Sequence, residues 1–181
     1  MKNVLILIFS LLSSHVVAQE FDGICRIATN DKQWSGVLIE RGVLTVAHPD
    51  EQKCVAYFEN DTEIIGVKIK LAKQNKIADI ALYECAVPTY VKIKRHKLSK
   101  EGKSAKIIGY IGGNRVERNG GFLYNGTVDG YPIIGYSCEA TSGMSGSPVF
   151  FGDVVTGIQF GGGPSSTDTV SCDTVIKFLG Q

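Results

Sequence analysis

Short apolar or β-branched runs, separated by turn-forming residues, recur along this sequence from residue 36 onward. The runs lie at 36–39, 43–47, 54–58, 64–71, 77–83, 105–111, 122–128, 133–137, 148–151 and 154–160. Clusters of glycine, asparagine and aspartate separate them, such as those at 59–61, 112–114, 119–121 and 161–163. Many short strands with frequent turns predict an all-β fold, either a sandwich or barrels.

A single short helix is predicted at the C-terminal end of the chain. Asp173 is a good N-cap, and Val175, Ile176 and Leu179 provide a short apolar face. A basic segment at 92–103 contains few apolar residues and divides the strands into two groups. It fits either an anion-binding run or a solvated connector, and we favour the connector between two β units.

The first residues have the layout of a secretory signal peptide. Lys2 precedes an apolar run at 4–12, and Ala18 ends a short segment that resembles a signal-peptide cleavage site. We therefore expect a signal peptide at 1–18 and a secreted chain, extracellular or periplasmic, although a buried N-terminal strand or helix is the alternative. The apolar run is too short to span a bilayer unaided, and no later run is longer, so no membrane association is expected.

Charge and cysteine content restrict the classes of partner and site. The formal net charge is +1, which favours neither nucleic acid nor a membrane surface as partner. Export is compatible with disulfides, and the odd number of cysteines leaves one thiol unpaired within the chain. The cysteines are Cys25, Cys54, Cys85, Cys138 and Cys172. Since none of them forms a CxxC pair, we predict no metal site, and nothing indicates an organic cofactor.

Nucleophilic catalysis by serine needs a base that takes the hydroxyl proton and a carboxylate that orients this base. Two residues of the sequence are candidates for these roles. His48 directly follows an apolar β-branched run, which would hold it rigidly, although alone it also fits an ordinary loop histidine. Asp79 enters an apolar run in "KIADIALYEC", where a carboxylate needs a partner, although it also fits a simple turn. His96 is the other candidate base, but its basic neighbours would lower its pKa.

The candidate nucleophile is Ser145 in "SGMSGSP". Gly143 allows the backbone to direct N–H groups at one point, and Gly146 leaves room for a substrate. A flexible Gly/Ser loop is the alternative, but the apolar run at 148–151 ties the loop to a strand. Ser147 is the rival nucleophile, and we favour Ser145.

The segments "SGVLIERGVLTVAH", "ADIALYE" and "GMSGSPVF…GIQFGGG" resemble the trypsin-like (chymotrypsin-fold) serine peptidases. The resemblance implies two six-stranded antiparallel β-barrels with a short C-terminal helix, and a site in the cleft between the barrels. It makes His48 the general base, Asp79 its orienting group and Ser145 the nucleophile. The backbone N–H groups of Gly143 and Ser145 would form the oxyanion hole.

The implied protein is a monomeric, secreted serine endopeptidase that cleaves protein or peptide substrates through an acyl-enzyme. Its peptidase domain would cover 19–181, with one barrel at 19–93, a connector at 94–103 and a second barrel at 104–181. Two alternatives remain: a catalytically inactive peptidase-fold binding module, and a secreted β-sandwich of the adhesion or lectin type.

Several positions depart from the family pattern. Pro49 follows the histidine where the family often has a cysteine, and Trp34 stands near the place of that cysteine's usual partner. Met144 precedes the serine where many relatives carry aspartate, and the expected mature start "QEFDGICRI" lacks an activation end. This pattern is similar to the compact glutamyl-endopeptidase branch.

The resemblance also implies a substrate pocket and a disulfide pattern. Glu139 would lie near the pocket floor and favour Arg or Lys before the scissile bond, unless it points outward or has a local partner. Gln159 stands where the glutamyl-specific branch has histidine. The strand with Gln159 and Gly161 would bind the peptide along its backbone edge. The implied disulfides are Cys25–Cys54 and Cys138–Cys172, with Cys85 free.

Overall fold

The computed structural model describes residues 20–100 and 104–180. The predicted signal peptide at 1–18 lies outside this range, as do residues 101–103 of the predicted connector. Within it, the chain forms two closed antiparallel barrels of six strands each and a short C-terminal helix. The prediction of two six-stranded barrels followed by a helix is confirmed, whereas a β-sandwich is excluded.

The first barrel contains β1 to β6 in the order β1-β2-β3-β6-β5-β4. The strands are β1 (Ile24–Ala28), β2 (Gln33–Ile39), β3 (Gly42–Thr45), β4 (Lys53–Glu59), β5 (Ile64–Asn75) and β6 (Ile80–Cys85). β2 and β3 are almost entirely buried, while β4 and β5 alternate between buried and exposed positions. This alternation places one face of each outer strand in the barrel core and the other in solvent.

The second barrel repeats this strand order with β7 to β12. The strands are β7 (Ser104–Ile111), β8 (Asn114–Val128), β9 (Tyr131–Tyr136), β10 (Pro148–Phe151), β11 (Val154–Gly162) and β12 (Thr167–Ser171). Its order is β10-β11-β12-β9-β8-β7. Read in the other direction from β7, this closed barrel has the order β7-β8-β9-β12-β11-β10, which matches that of the first barrel. β-Bulges interrupt β8 once and β11 twice, and such bulges give closed barrels their local bends. The loop between β9 and β10 carries Ser145.

Two strands have no counterpart among the runs identified from the sequence. β1 (Ile24–Ala28) contains an arginine, and β12 (Thr167–Ser171) consists mainly of polar residues. Both are five-residue strands, too short to establish a clear apolar alternation on their own. Their pairing with neighbours on both sides determines their conformation.

The helix α1 (Cys172–Leu179) lies where the sequence predicts it, but its cap differs. Ser171 is the N-cap, and its hydroxyl accepts from the Thr174 N–H, while Asp173 lies in the first turn. The buried face includes Phe178 in place of the predicted Ile176, which is only partly buried. No helix among the described residues is long and apolar enough to cross a bilayer.

The described part of the basic segment, residues 92–100, contacts both barrels. Ile93 and His96 are buried, while the lysines around them are exposed. The His96 N–H donates to the Leu38 carbonyl of the first barrel, and the Val155 N–H of the second barrel donates to the Lys97 carbonyl. The segment therefore fastens the barrels together through its backbone and keeps its charges in solvent.

All five cysteines are free thiols, so the disulfides implied by the resemblance are not present. β1 and β4 are neighbours, as expected, but Cys25 lies opposite Phe58 in the register. Cys54 is therefore displaced along the strand by roughly 13 Å, since each residue of a strand spans about 3.3 Å. Disulfides require Cα atoms closer than about 7 Å.

The second implied disulfide is wrong for a similar reason. The Thr167 hydroxyl at the start of β12 donates to the Cys138 carbonyl. Cys172, in contrast, follows the last residue of that strand. The two cysteines therefore lie at opposite ends of β12. Cys85 is a free thiol, as expected.

Candidate active site

His48 and Asp79 form a direct side-chain pair at one end of the first barrel. His48 Nδ1 lies 2.8 Å from Asp79 Oδ2. The Asp79 Oδ1 atom accepts from the N–H groups of His48, at 2.7 Å, and Ala47, at 2.9 Å. The carboxylate thus holds both the ring and the backbone of the histidine, leaving the Nε2 side of the ring available for other contacts.

A tight turn before β6 positions Asp79. The Asn75 side chain accepts from the N–H groups of Ile77 and Ala78 and so closes this turn. Asp79 itself has a φ of 51°, a left-handed conformation in which aspartate is among the better-tolerated residues. Its side chain is 19% exposed and His48's is 49% exposed, so the pair is open to solvent on the histidine side.

The loop that carries Ser145 is folded into two successive turns. The Met144 N–H donates to the Thr141 carbonyl, and the Ser147 N–H donates to the Met144 carbonyl. Gly146 has a φ of 86°, and a Cβ there would lie 2.0 Å from the Ser35 carbonyl oxygen. Glycine is therefore required directly after Ser145, both for backbone conformation and for space.

Burial distinguishes the two candidate serines. Ser147 is fully buried, and its hydroxyl has no hydrogen-bond partner among the described residues. Ser145 is only partly buried. Ser145 is therefore accessible from solvent, whereas Ser147 is not.

Ser35 brings the Ser145 loop against the strand that leads to His48. The Ser35 N–H donates to the Ser145 carbonyl at 2.8 Å, and the Thr45 hydroxyl donates to the Ser35 carbonyl at 2.5 Å. Thr45 ends β3, three positions before His48. Within residues 20–100 and 104–180, Ser145 Oγ makes no hydrogen bond to His48. In free enzymes such contacts are often loose and tighten when substrate binds.

Two backbone N–H groups of the loop have no acceptor among the described residues. The hydrogen bonds of the described residues include none donated by the N–H of Gly143 or of Ser145. Gly143 has a φ of 98°, and a Cβ there would lie 2.8 Å from the Tyr110 carbonyl. Unengaged N–H groups on either side of Met144 are the arrangement that an oxyanion hole requires.

Met144 is the buried anchor of this loop. It is fully buried in an apolar cluster of the second barrel. The other buried members of that cluster are Ala105, Ile107, Tyr136, Cys138 and Val149. The loop is thus fastened beside Ser145 by apolar packing at the position where many proteins of the resembled family carry aspartate.

Glu139 is exposed and has local partners. One carboxylate oxygen accepts from the Thr141 hydroxyl at 2.9 Å, and the other lies 3.7 Å from Arg118 Nε. Half of the Glu139 side chain is exposed to solvent. Glu139 therefore has local partners, which is one of the alternatives left open by the sequence. The positive charge of Arg118 offsets part of the negative charge of Glu139.

Gln159 and Gly161 lie on β11 beside the Ser145 loop. The Gln159 backbone exchanges two hydrogen bonds with the loop, from the Gly146 N–H and to the Ser147 carbonyl. Its buried side chain donates to the Gly161 carbonyl at 3.1 Å. On one side, β11 pairs with β12 as far as Gly162. On the other side, β11 pairs with β10 only as far as Ile158. This leaves an edge on which a peptide can add as a strand.

His96 is not part of this site. Its ring stacks edge-on against Phe150, with centroids 5.0 Å apart, and its Nε2–H donates to the Asp22 carbonyl. Burial lowers the pKa of the His96 imidazole below its ordinary value, and Lys94 adds to the lowering while Asp22 and Asp153 oppose it. The sequence predicts the direction of this pKa shift correctly, but the main cause is desolvation by burial rather than the charge of neighbouring residues.

Solved protein structures with the same architecture include two proteins named as proteases, together with Deg5. The active form of the Rv3671c protease from M. tuberculosis matches with a TM-score of 0.73 and 16% identity, covering 87% of this chain and 79% of that one. The serine protease of human pathogenic astrovirus gives 0.63 and 20%, covering 82% and 88%. Deg5 gives 0.72 and 16%, covering 86% of each chain.

The fold is chymotrypsin-like. No family model matches the sequence, and no curated protein matches it either. At this level of identity the comparisons establish the fold alone. The chymotrypsin-like fold nevertheless explains why His48 and Asp79 come from the first barrel while Ser145 comes from the second.

Ser35 is the residue of this region that sequence reasoning missed. It is fully buried, and its side chain and backbone together contact both barrels. In the sequence it stands between Trp34 and Gly36 as one small residue of a β-strand. A small polar residue directly before the apolar run at 36–39 gives no local signal of this role, because its partners are distant along the chain.

Proposed function

We propose that this chain is a secreted serine endopeptidase that uses a Ser145–His48–Asp79 triad. The observation that carries the proposal is the 2.8 Å contact between His48 Nδ1 and Asp79, on the barrel that also contacts the Ser145 loop through Ser35. The unengaged N–H groups of Gly143 and Ser145 support it. The chymotrypsin-like fold, found in the serine proteases compared, agrees with it.

The proposed reaction proceeds through an acyl-enzyme. His48 Nε2 takes the proton of Ser145 as the hydroxyl oxygen attacks the peptide carbonyl. Asp79 keeps the other proton on Nδ1, and the N–H groups of Gly143 and Ser145 stabilise the oxyanion. Protonated His48 then gives its proton to the leaving amine. Water, activated by the same histidine, hydrolyses the ester and restores Ser145.

A fluorophosphonate probe tests the nucleophile directly. We expect the folded protein to be labelled on Ser145, as located by peptide mass spectrometry. Ser145→Ala should abolish labelling, while the matched variant Ser147→Ala should keep it, because that hydroxyl is buried and without a partner among the described residues. A folded wild-type protein that is not labelled would contradict the proposal.

We further propose a preference for Arg or Lys before the scissile bond. The resemblance makes Glu139 the candidate for a pocket carboxylate, and half of its side chain is exposed. Arg118 competes for that carboxylate, so the preference should be moderate rather than strict. A peptide-library cleavage profile of wild type and Glu139→Gln measures it. The variant should lose basic selectivity but retain activity, and an unchanged profile would remove Glu139 from the pocket.

A catalytically inactive, peptidase-fold binding module is the second candidate. The observation that favours it is that, among the described residues, Ser145 Oγ makes no hydrogen bond to His48. The two candidates differ in the labelling experiment, because a binding module has no activated serine. If Ser145→Ala also left the biological effect unchanged, the binding module would replace the enzyme.

The remaining parts of the proposal concern the molecule outside its active site. The peptidase domain would cover 19–181 after removal of a signal peptide at 1–18, and the protein would act on peptides or proteins as a monomer. In pattern it is closest to the compact glutamyl-endopeptidase branch, but Gln159 in place of the branch's histidine argues against acidic specificity. N-terminal sequencing of the exported protein should begin at Gln19.

A further inference from the structure

The Ser35 side chain joins both barrels to the loop of the proposed oxyanion hole. It lies on β2 of the first barrel and is fully buried. Its hydroxyl lies 3.0 Å from the Gly143 carbonyl oxygen and 3.0 Å from the Tyr110 nitrogen on β7 of the second barrel.

The direction of these two hydrogen bonds follows from the partners. The Tyr110 N–H can only donate, so the Ser35 oxygen accepts there. The Gly143 carbonyl can only accept, so the single hydroxyl proton of Ser35 points at it. The hydroxyl is therefore fixed in one orientation and satisfied in both roles.

The Gly143–Met144 peptide group is consequently held at both ends. Its carbonyl accepts from Ser35, and its N–H donates to the Thr141 carbonyl at 3.0 Å. The two proposed oxyanion donors, Gly143 N–H and Ser145 N–H, belong to the peptide groups directly before and after it. Rotation of the central peptide would redirect its neighbours, and both hydrogen bonds must break for that rotation to occur.

The loop needs such a restraint because glycine occupies position 143. Its φ of 98° disfavours any other residue, and a Cβ there would lie only 2.8 Å from the Tyr110 carbonyl oxygen. Glycine is also the residue with the greatest backbone freedom, so its own conformation does not hold the donor in place. An external hydrogen bond from a rigid barrel strand supplies the missing order.

We propose that Ser35 is a positioning residue that holds the oxyanion hole in its active conformation. This inference rests on the proposed function of the Ser145 site. Ser35 touches neither substrate nor the reacting atoms; it acts through the Gly143 carbonyl. Its loss should lower the rate of the chemical step while leaving substrate binding and the base His48 unaffected.

The test compares Ser35→Ala and Ser35→Cys with Ser147→Ala in the purified protein. Cysteine keeps nearly the same volume but is a weak hydrogen-bond donor, so it remains informative if the alanine variant does not fold. Ser147→Ala removes an equally buried hydroxyl that has no partner among the described residues. Labelling rate with a fluorophosphonate, kcat and KM on fluorescent casein, and the unfolding midpoint are measured for each.

We expect both Ser35 variants to lose about tenfold or more in labelling rate and kcat, as expected for a disturbed oxyanion hole. KM and the shape of the pH profile should not change, and Ser147→Ala should match wild type. A purely structural role would lower the unfolding midpoint without this selective loss of kcat.

Wild-type labelling rates in both folded Ser35 variants would overturn the positioning role and leave the proposed peptidase intact. Absence of labelling in the wild type would instead overturn the peptidase and the positioning role together. The two failures are therefore distinguishable in one experiment.

Discussion

At the scale of single residues, Asp79 determines the position of His48. Its carboxylate accepts from the His48 ring and from two backbone N–H groups, so it fixes both the orientation and the tautomer of the histidine. Its left-handed φ of 51° is one that asparagine also tolerates. Asparagine at this position therefore changes the chemistry of the contact without disturbing the backbone.

Asp79→Asn should fold normally and lose about four decades of kcat. The Asn Oδ1 atom can retain the two backbone hydrogen bonds, but its amide would donate to His48 Nδ1 and force the proton onto Nε2. A histidine in that tautomer does not accept the Ser145 proton. Circular dichroism and kcat on a peptide substrate check this, and a folded variant with more than a tenth of wild-type activity would contradict the role of Asp79.

At the scale of an element, the loop from Thr141 to Ser147 depends on packing. Met144 inserts into the apolar cluster of the second barrel, and the turns on either side of it close through backbone hydrogen bonds. A buried, flexible thioether fills an irregular space well. Burial of Met144 thus provides an anchor for the loop that does not require a charged partner.

Met144→Ala should destabilise the protein by about 2–5 kcal/mol and slow fluorophosphonate labelling well below the unfolding temperature. The cavity costs packing energy and frees the loop beside Ser145. Met144→Leu is the matched control, and should cost less than about 1.5 kcal/mol because it preserves volume. Denaturant unfolding and labelling rate measure both effects, and equal labelling of the two variants would contradict the anchoring role.

At the scale of the whole molecule, His96 contacts residues of both barrels. His96 is buried between them, donates to the Asp22 carbonyl and packs on Phe150. Burial lowers its pKa in the folded state below the ordinary value of 6.5, with Lys94 adding to the lowering. The unfolded chain therefore binds a proton more readily than the folded chain.

Stability should consequently fall as the pH drops below about 6.5, because protonation of His96 favours the unfolded state. This contribution is complete above pH 6.5 and is lost progressively down to the lower pKa of the folded state. Its slope is at most about 1.4 kcal/mol per pH unit, the value for one proton. Denaturant unfolding of wild type and His96→Gln from pH 8 to 5 isolates it. Parallel curves would contradict the assignment.

The sequence by itself determined the fold class and the candidate residues of the site. Strand periodicity and turn residues are local properties, so the alternating and apolar runs predict most strands of both barrels. The motifs around His48, Asp79 and Ser145 are equally local, since each consists of one functional residue and its immediate neighbours. These features are visible in the sequence because they depend on residues only a few positions apart.

Tertiary structure alone decided the strand register and the contacts across the two barrels. The register of β1 with β4 separates Cys25 from Cys54 although the strands are neighbours. The hydrogen bond from Ser35 to Gly143 joins residues 108 positions apart. Such contacts depend on how two closed barrels are placed against each other, and this placement results from the packing of the entire chain rather than from any local pattern.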